Sequence, residues 1–140
     1  MIIKWEIPNF DDELGEYFEN EHTIDTFSKY GIKFNTNEQL IEFLRNGKLV
    51  NMTRDELSTN YDNLTLDDVD FIDELENPDY AESFYKMNDE LRRNKEMRLP
   101  APIIIKFGDK YYGFAGNRRM NLAFANNIPL KVWLVKKKAN

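Results

Sequence analysis

The sequence predicts an α+β domain in which a small mixed sheet is flanked by helices. Three observations carry that reading. Residues 103–114 hold two strand-like runs separated by a Gly-X pair. Residues 79–94 repeat apolar side chains at helical spacing. Finally, 41% hydrophobic and 14% aromatic residues over 140 positions are enough to bury a single core.

Taken in order, Ile2 to Ile7 alternate as a short strand that Pro8-Asn9 ends. The acidic stretch Asp11 to His22 places Leu14, Tyr17 and Phe18 at helical spacing, with Gly15 weakening the pattern. A short helix over Ile24 to Tyr30 is expected to stop at Gly31. Thr36 and Gln39 have capping-box spacing for a helix over Asn37 to Asn46, in which Leu40, Ile41 and Leu44 share a face and Gly47 closes the end. Lys48 to Met52 reads as a strand. After a polar turn at Asn60 to Asn63, a helix is expected through Leu66, Val69, Ile72 and Leu75.

Pro78 opens the strongest helix of the first hundred residues. Tyr80, Phe84, Met87 and Leu91 lie on one face, with Asp79 and Glu82 in the first turn and Arg92, Arg93 and Lys95 in the last, the order a helix dipole favours. Beyond Pro100-Ala101-Pro102, the runs Ile103 to Phe107 and Tyr111 to Phe114 flank Gly108-Asp109, which predicts a hairpin with a type II′ turn. A helix from Asn117 to Asn126-Asn127 carries Met120, Ala123 and Phe124, and Lys131 to Val135 makes the last strand.

Composition excludes several chemistries. Without cysteine there is no disulfide, thiol nucleophile or thiolate metal site, and one histidine, His22, makes no zinc site alone. No apolar run reaches the roughly 18 residues that span a bilayer, and Met1-Ile2-Ile3-Lys4-Trp5 does not begin a signal peptide, so no membrane role and a cytoplasmic location are expected. The net charge of −6 conceals a division: residues 1–90 hold 23 acidic and 7 basic residues, residues 91–140 hold 2 and 12. The acidic part would repel duplex DNA and suits a basic protein partner, whereas the basic part suits a small anion. Trp5, Trp133, Tyr111 and Tyr112 are read as core aromatics, and the acidic run from Asp67 to Glu76 as a solvated helix face.

The chemistry-bearing motif is Gly116-Asn117-Arg118-Arg119, where a strand turns into a helix. A helix start exposes backbone N–H groups and partial positive charge, glycine admits a ligand close to the backbone, and guanidinium groups take phosphate oxygens in pairs. The expectation is that both guanidiniums clasp one phosphate-bearing ligand.

The order of a helix from Asp79 to Asn94, Leu99-Pro100-Ala101-Pro102-Ile103-Ile104-Ile105, a hairpin, Gly116-Asn117-Arg118-Arg119-Met120-Asn121-Leu122-Ala123 and Ile128-Pro129-Leu130-Lys131-Val132 resembles the ParB/sulfiredoxin superfamily over roughly Lys48 to Val135. The resemblance implies a nucleotide-binding core over residues 48–140, preceded by an extension over residues 1–47, and a Gly-x-x-Arg turn holding nucleotide phosphates at Gly116, Asn117, Arg118 and Arg119. From the preceding helix it implies Ser83, Lys86 and Glu90, with Glu90 as a candidate catalytic carboxylate. It implies ATP or ADP with Mg²⁺ as ligands and points to small stand-alone phage or bacterial members, with the host cytoplasm as the setting for a phage protein. Asn117 stands where sulfiredoxins carry cysteine, which excludes their reduction chemistry, and no helix-turn-helix comes after the last strand. Three functions remain: an ATP phosphohydrolase, a non-catalytic interaction protein with a regulatory nucleotide site, and a ParB-like nuclease.

Overall fold

The computed structural model describes residues 1–59 and 78–137. The turn expected at Asn60 to Asn63 and the helix expected through Leu66 and Leu75 lie outside them. The elements are β1 (Ile2–Glu6), a 3-10 turn (Phe10–Glu13), α1 (Gly15–Phe18), α2 (Glu21–Lys29), α3 (Asn37–Arg45), β2 (Lys48–Met52) and α4 (Arg54–Thr59). They continue with α5 (Pro78–Asn94), β3 (Glu96–Pro100), β4 (Ile103–Phe107), β5 (Lys110–Ala115), α6 (Asn117–Ala125) and β6 (Leu130–Lys137).

A four-stranded mixed sheet in the order β2-β6-β4-β5 forms the centre. β6 pairs antiparallel with β2 and parallel with β4, and β4 pairs antiparallel with β5. Successive strand side chains point to opposite faces, and both faces here are apolar. Ile104, Val132 and Leu134 join Phe84, Leu91, Met120 and Leu122 in one core, beneath α5 and α6. Ile103, Ile105, Phe107, Trp133 and Val135 join Tyr17, Phe27, Leu40 and Leu44 in the other, beneath α1, α2 and α3. The chain is thus an α+β fold with helices on both faces of its main sheet.

The hairpin forms as its sequence demands. Phe107 pairs with Lys110, Gly108 has φ 61, and Asp109 is not among the residues with positive φ, which is the pattern of a II′ turn. Thr36 caps α3 by accepting from the Gln39 amide, but Gln39 Oε1 accepts from the Asn35 amide, one residue short of the reciprocal box. Asn127, φ 53, ends α6: the Ile128 amide donates to Ala123 and the Asn127 amide to Phe124, a Schellman pair.

Two expectations are corrected. Gly47 does not close α3 with a left-handed turn, since its φ is not positive. A Cβ there would lie 2.5 Å from Trp133 Nε1 and 2.8 Å from the Leu134 carbonyl oxygen, so glycine admits the indole whose N–H donates to Leu44 O at 2.7 Å. The second correction is β3, absent from the sequence reading, which pairs in parallel with β1 as a separate two-stranded sheet. Ala101 N–H donates to Glu6 O at 2.8 Å, after which Pro102 leads the chain into the main sheet.

The aromatics expected in the core largely lie there. Tyr112 and Trp133 are buried, and the Tyr112 hydroxyl sits 2.9 Å from Thr23 Oγ1. Trp5 and Tyr111 are partly buried, Trp5 donating to Pro129 O at 3.0 Å. His22 is on the surface. No helix among the described residues is long and apolar enough to cross a membrane.

Candidate functional site

A register shift in the hairpin begins the construction of the site. Ile103 pairs with Ala115 but Ile104 with Gly113, so Phe114 is the extra residue of a bulge one position before the strand ends. A bulge bends its strand and re-aims the residues beyond it. Here it delivers the chain to Gly116, whose φ of 94 lies in the left-handed region. A Cβ at Gly116 would lie 2.7 Å from both Pro102 Cα and Arg119 Nη2. Conformation and space therefore both demand glycine at this turn. Gly116 caps α6 with its carbonyl, accepting from the Met120 amide at 3.0 Å, and has no side chain to cover the first amides.

In front of this turn lies a cleft of about 550 Å³. Its floor is Gly113 to Arg119. One wall is α5, through Tyr80, Ser83 and Met87, with Leu99 of β3 below. The opposite wall is Glu13 and Glu16, from the 3-10 turn and α1. The volume falls within the range of small-molecule sites.

The two arginines do not stand side by side as expected. Neighbouring residues on a helix diverge by about 100°, so Arg118 leans on α5 and Arg119 on the acidic wall. Arg118 Nη1 donates to Ser83 Oγ at 2.7 Å and its guanidinium lies 5.8 Å from the Tyr80 ring centroid. The Tyr80 hydroxyl accepts from Asn121 Nδ2 at 3.1 Å. Arg119 Nη2 pairs with Glu13 Oε1 at 3.2 Å, and these side chains are only 14% and 15% exposed. The guanidiniums thus bracket the helix mouth from two sides, and the mouth itself opens into the cleft. Partial burial, then the Glu13 carboxylate, push the Glu16 carboxyl above its ordinary value, against the pull of Arg119 and Arg118.

Of the residues singled out from sequence, Gly116, Asn117, Arg118, Arg119 and Ser83 all line the cleft. Lys86 and Glu90 do not; both are exposed on α5 outside it. The sequence reading missed Glu13 and Glu16, for which no local signal exists because tertiary packing alone brings residue 13 to residue 119. It also missed Tyr80 and Met87 as lining residues, although they lie three before and four after Ser83 on the same helical face. Among the described residues no group of three or more histidine, cysteine, aspartate or glutamate side chains is placed to hold a metal ion.

Comparison with protein-family models, curated proteins and solved structures finds no match to this chain.

Proposed function

We propose that this protein binds a nucleotide, ATP or ADP, through its phosphates at the start of α6, and acts as a slow Mg²⁺-dependent phosphohydrolase. One observation carries the reading: a cleft of nucleotide size opens on a glycine-turned helix start bracketed by two guanidinium groups. An anion there gains from the helix dipole, from backbone amides and from charge-assisted hydrogen bonds together. The order of helix, proline-bounded strand, hairpin, Gly-x-x-Arg turn, helix and strand also supports kinship with the ParB/sulfiredoxin superfamily.

The cleft divides into a charged and an apolar part. Arg118 and Arg119 would take phosphate oxygens, while Tyr80, Met87 and Leu99 offer apolar surface for a nucleoside. Magnesium keeps several waters and binds phosphate oxygens, so it would enter the cleft on the polyphosphate rather than on a cage of protein carboxylates. When bound, the ion neutralises phosphate charge. Glu16, with its raised pKa, replaces Glu90 as the candidate for orienting or deprotonating an attacking water, a step in which positioning supplies most of the catalysis.

A second reading, nucleotide binding without turnover, is favoured by the contacts both guanidiniums already make with protein groups. Titration with labelled ATP, repeated with Arg118→Ala, tests binding, and phosphate release separates the two readings. The variant should bind roughly ten-fold more weakly. Equal binding by both proteins removes the phosphate assignment.

A further inference from the structure

Glu13 is 106 positions from Arg119 in sequence, yet its carboxylate faces that guanidinium in a largely shielded pair. Shielding from water raises the attraction within a pair and also the cost of leaving either charge without a partner. The segment around Glu13 is fixed on both sides. The Phe10 ring lies 5.6 Å from the Trp133 ring, and Tyr17 is buried with its hydroxyl accepting from the Phe34 amide at 3.0 Å. The fold itself therefore sets the carboxylate over Arg119, at the edge of the cleft where an anion would approach. Glu16 lines the same wall, so two carboxylates balance the two guanidiniums and the cleft offers no net charge to an arriving anion.

We propose that Glu13 is a resident competitor for the anion position, and that it restricts the cleft to polyphosphate chains, such as the tail of a nucleoside di- or triphosphate. This rests on the phosphate reading above. A single phosphate meeting Arg119 exchanges one anion for another with little gain. A chain of phosphates reaches Arg118 and the first amides of α6 as well, and those added contacts repay the release of Glu13.

Calorimetric titration at neutral pH of the wild type, Glu13→Gln and Arg119→Ala with ATP, tripolyphosphate and inorganic phosphate tests the idea. Glutamine retains one oxygen able to accept from Arg119, loses the charge and exchanges the other oxygen for an NH2 group. The wild type should bind ATP and tripolyphosphate but not inorganic phosphate. Glu13→Gln should tighten the first two by about ten-fold and make the third measurable. Unchanged or weaker ATP binding by Glu13→Gln, with Arg119→Ala still impaired, overturns the competitor role and leaves the phosphate reading standing. Absence of binding by both wild type and Glu13→Gln removes that reading and the competitor with it. Should circular dichroism show Glu13→Gln unfolded, Glu13→Asp makes the same comparison, because its shorter side chain draws the carboxylate back: tighter ATP binding supports the competitor, unchanged binding overturns it.

Discussion

Gly116 joins the fold to the proposed chemistry through one missing methyl group. At φ 94, with Pro102 Cα and Arg119 Nη2 each 2.7 Å from the position of a Cβ, alanine is strained in conformation and crowded in space. Gly116→Ala should therefore cost on the order of 1–3 kcal/mol, read as a lower denaturant midpoint, and should weaken ATP binding by moving Arg119. Glu16 presents the opposite case, a side chain that sits less comfortably folded than unfolded. Its folded pKa is raised above the ordinary 4.5 by partial burial and by Glu13, so its ionised form is disfavoured in the native state. Its contribution is complete below the unfolded pKa and is lost as pH rises through the raised folded value. Glu16→Gln should thus raise the melting temperature at neutral pH, and the gain should vanish as pH falls below 4.5; a gain that persists in acid would assign the effect to packing instead.

At the scale of elements, the junction between α3 and β2 shows how a local reading goes wrong for a physical reason. A glycine after a helix suggests a left-handed cap, yet Gly47 is small because Trp133, 86 residues away, lies against it. Gly47→Ala should cost about 1–3 kcal/mol by driving the indole from its bond to Leu44 O, and a red-shifted tryptophan emission would report the displacement. The elements legible in the sequence are those whose signals are short-range: the Gly108-Asp109 hairpin, the Thr36 cap, and the periodicity of α5 and α6. β3 was illegible because its partner, β1, lies some 94 residues earlier and because the alternation of Glu96, Met97, Arg98 and Leu99 is only four residues long and follows directly on α5. The site divides along the same line. Gly116 to Arg119 form one contiguous motif, whereas Glu13 and Glu16 reach it only through packing of the first helices on the sheet. The divergence of Arg118 and Arg119 is a consequence of helical geometry, and a motif written as a string of letters conceals it.

For the molecule as a whole, the sheet carries two cores back to back, and the cleft draws its walls from both layers. The acidic wall belongs to the layer of Tyr17 and Phe27, and Ser83 and Tyr80 to the layer of Phe84 and Leu91. Neighbouring strand residues such as Ile104 and Ile105 point into different cores while sharing one backbone ladder, so loss of either core should be felt by the other. Phe27 is the strongest lever. It is fully buried, with ring centroids of Tyr17, Phe107, Tyr112 and Phe114 between 5.2 and 6.0 Å away. Phe27→Ala should cost about 3–5 kcal/mol, a large share of the roughly 5–15 kcal/mol that holds a domain together. Ile104→Ala, on the other face, should cost about 2–5 kcal/mol. If the layers unfold as one, each variant should lower the urea midpoint in a single transition with an unchanged slope, and tryptophan fluorescence and far-ultraviolet dichroism should coincide. Two separated transitions in Phe27→Ala, with the dichroism of the remaining helices surviving the first, would show that the layer bearing Glu13 and Glu16 can detach, leaving Arg119 without its carboxylate.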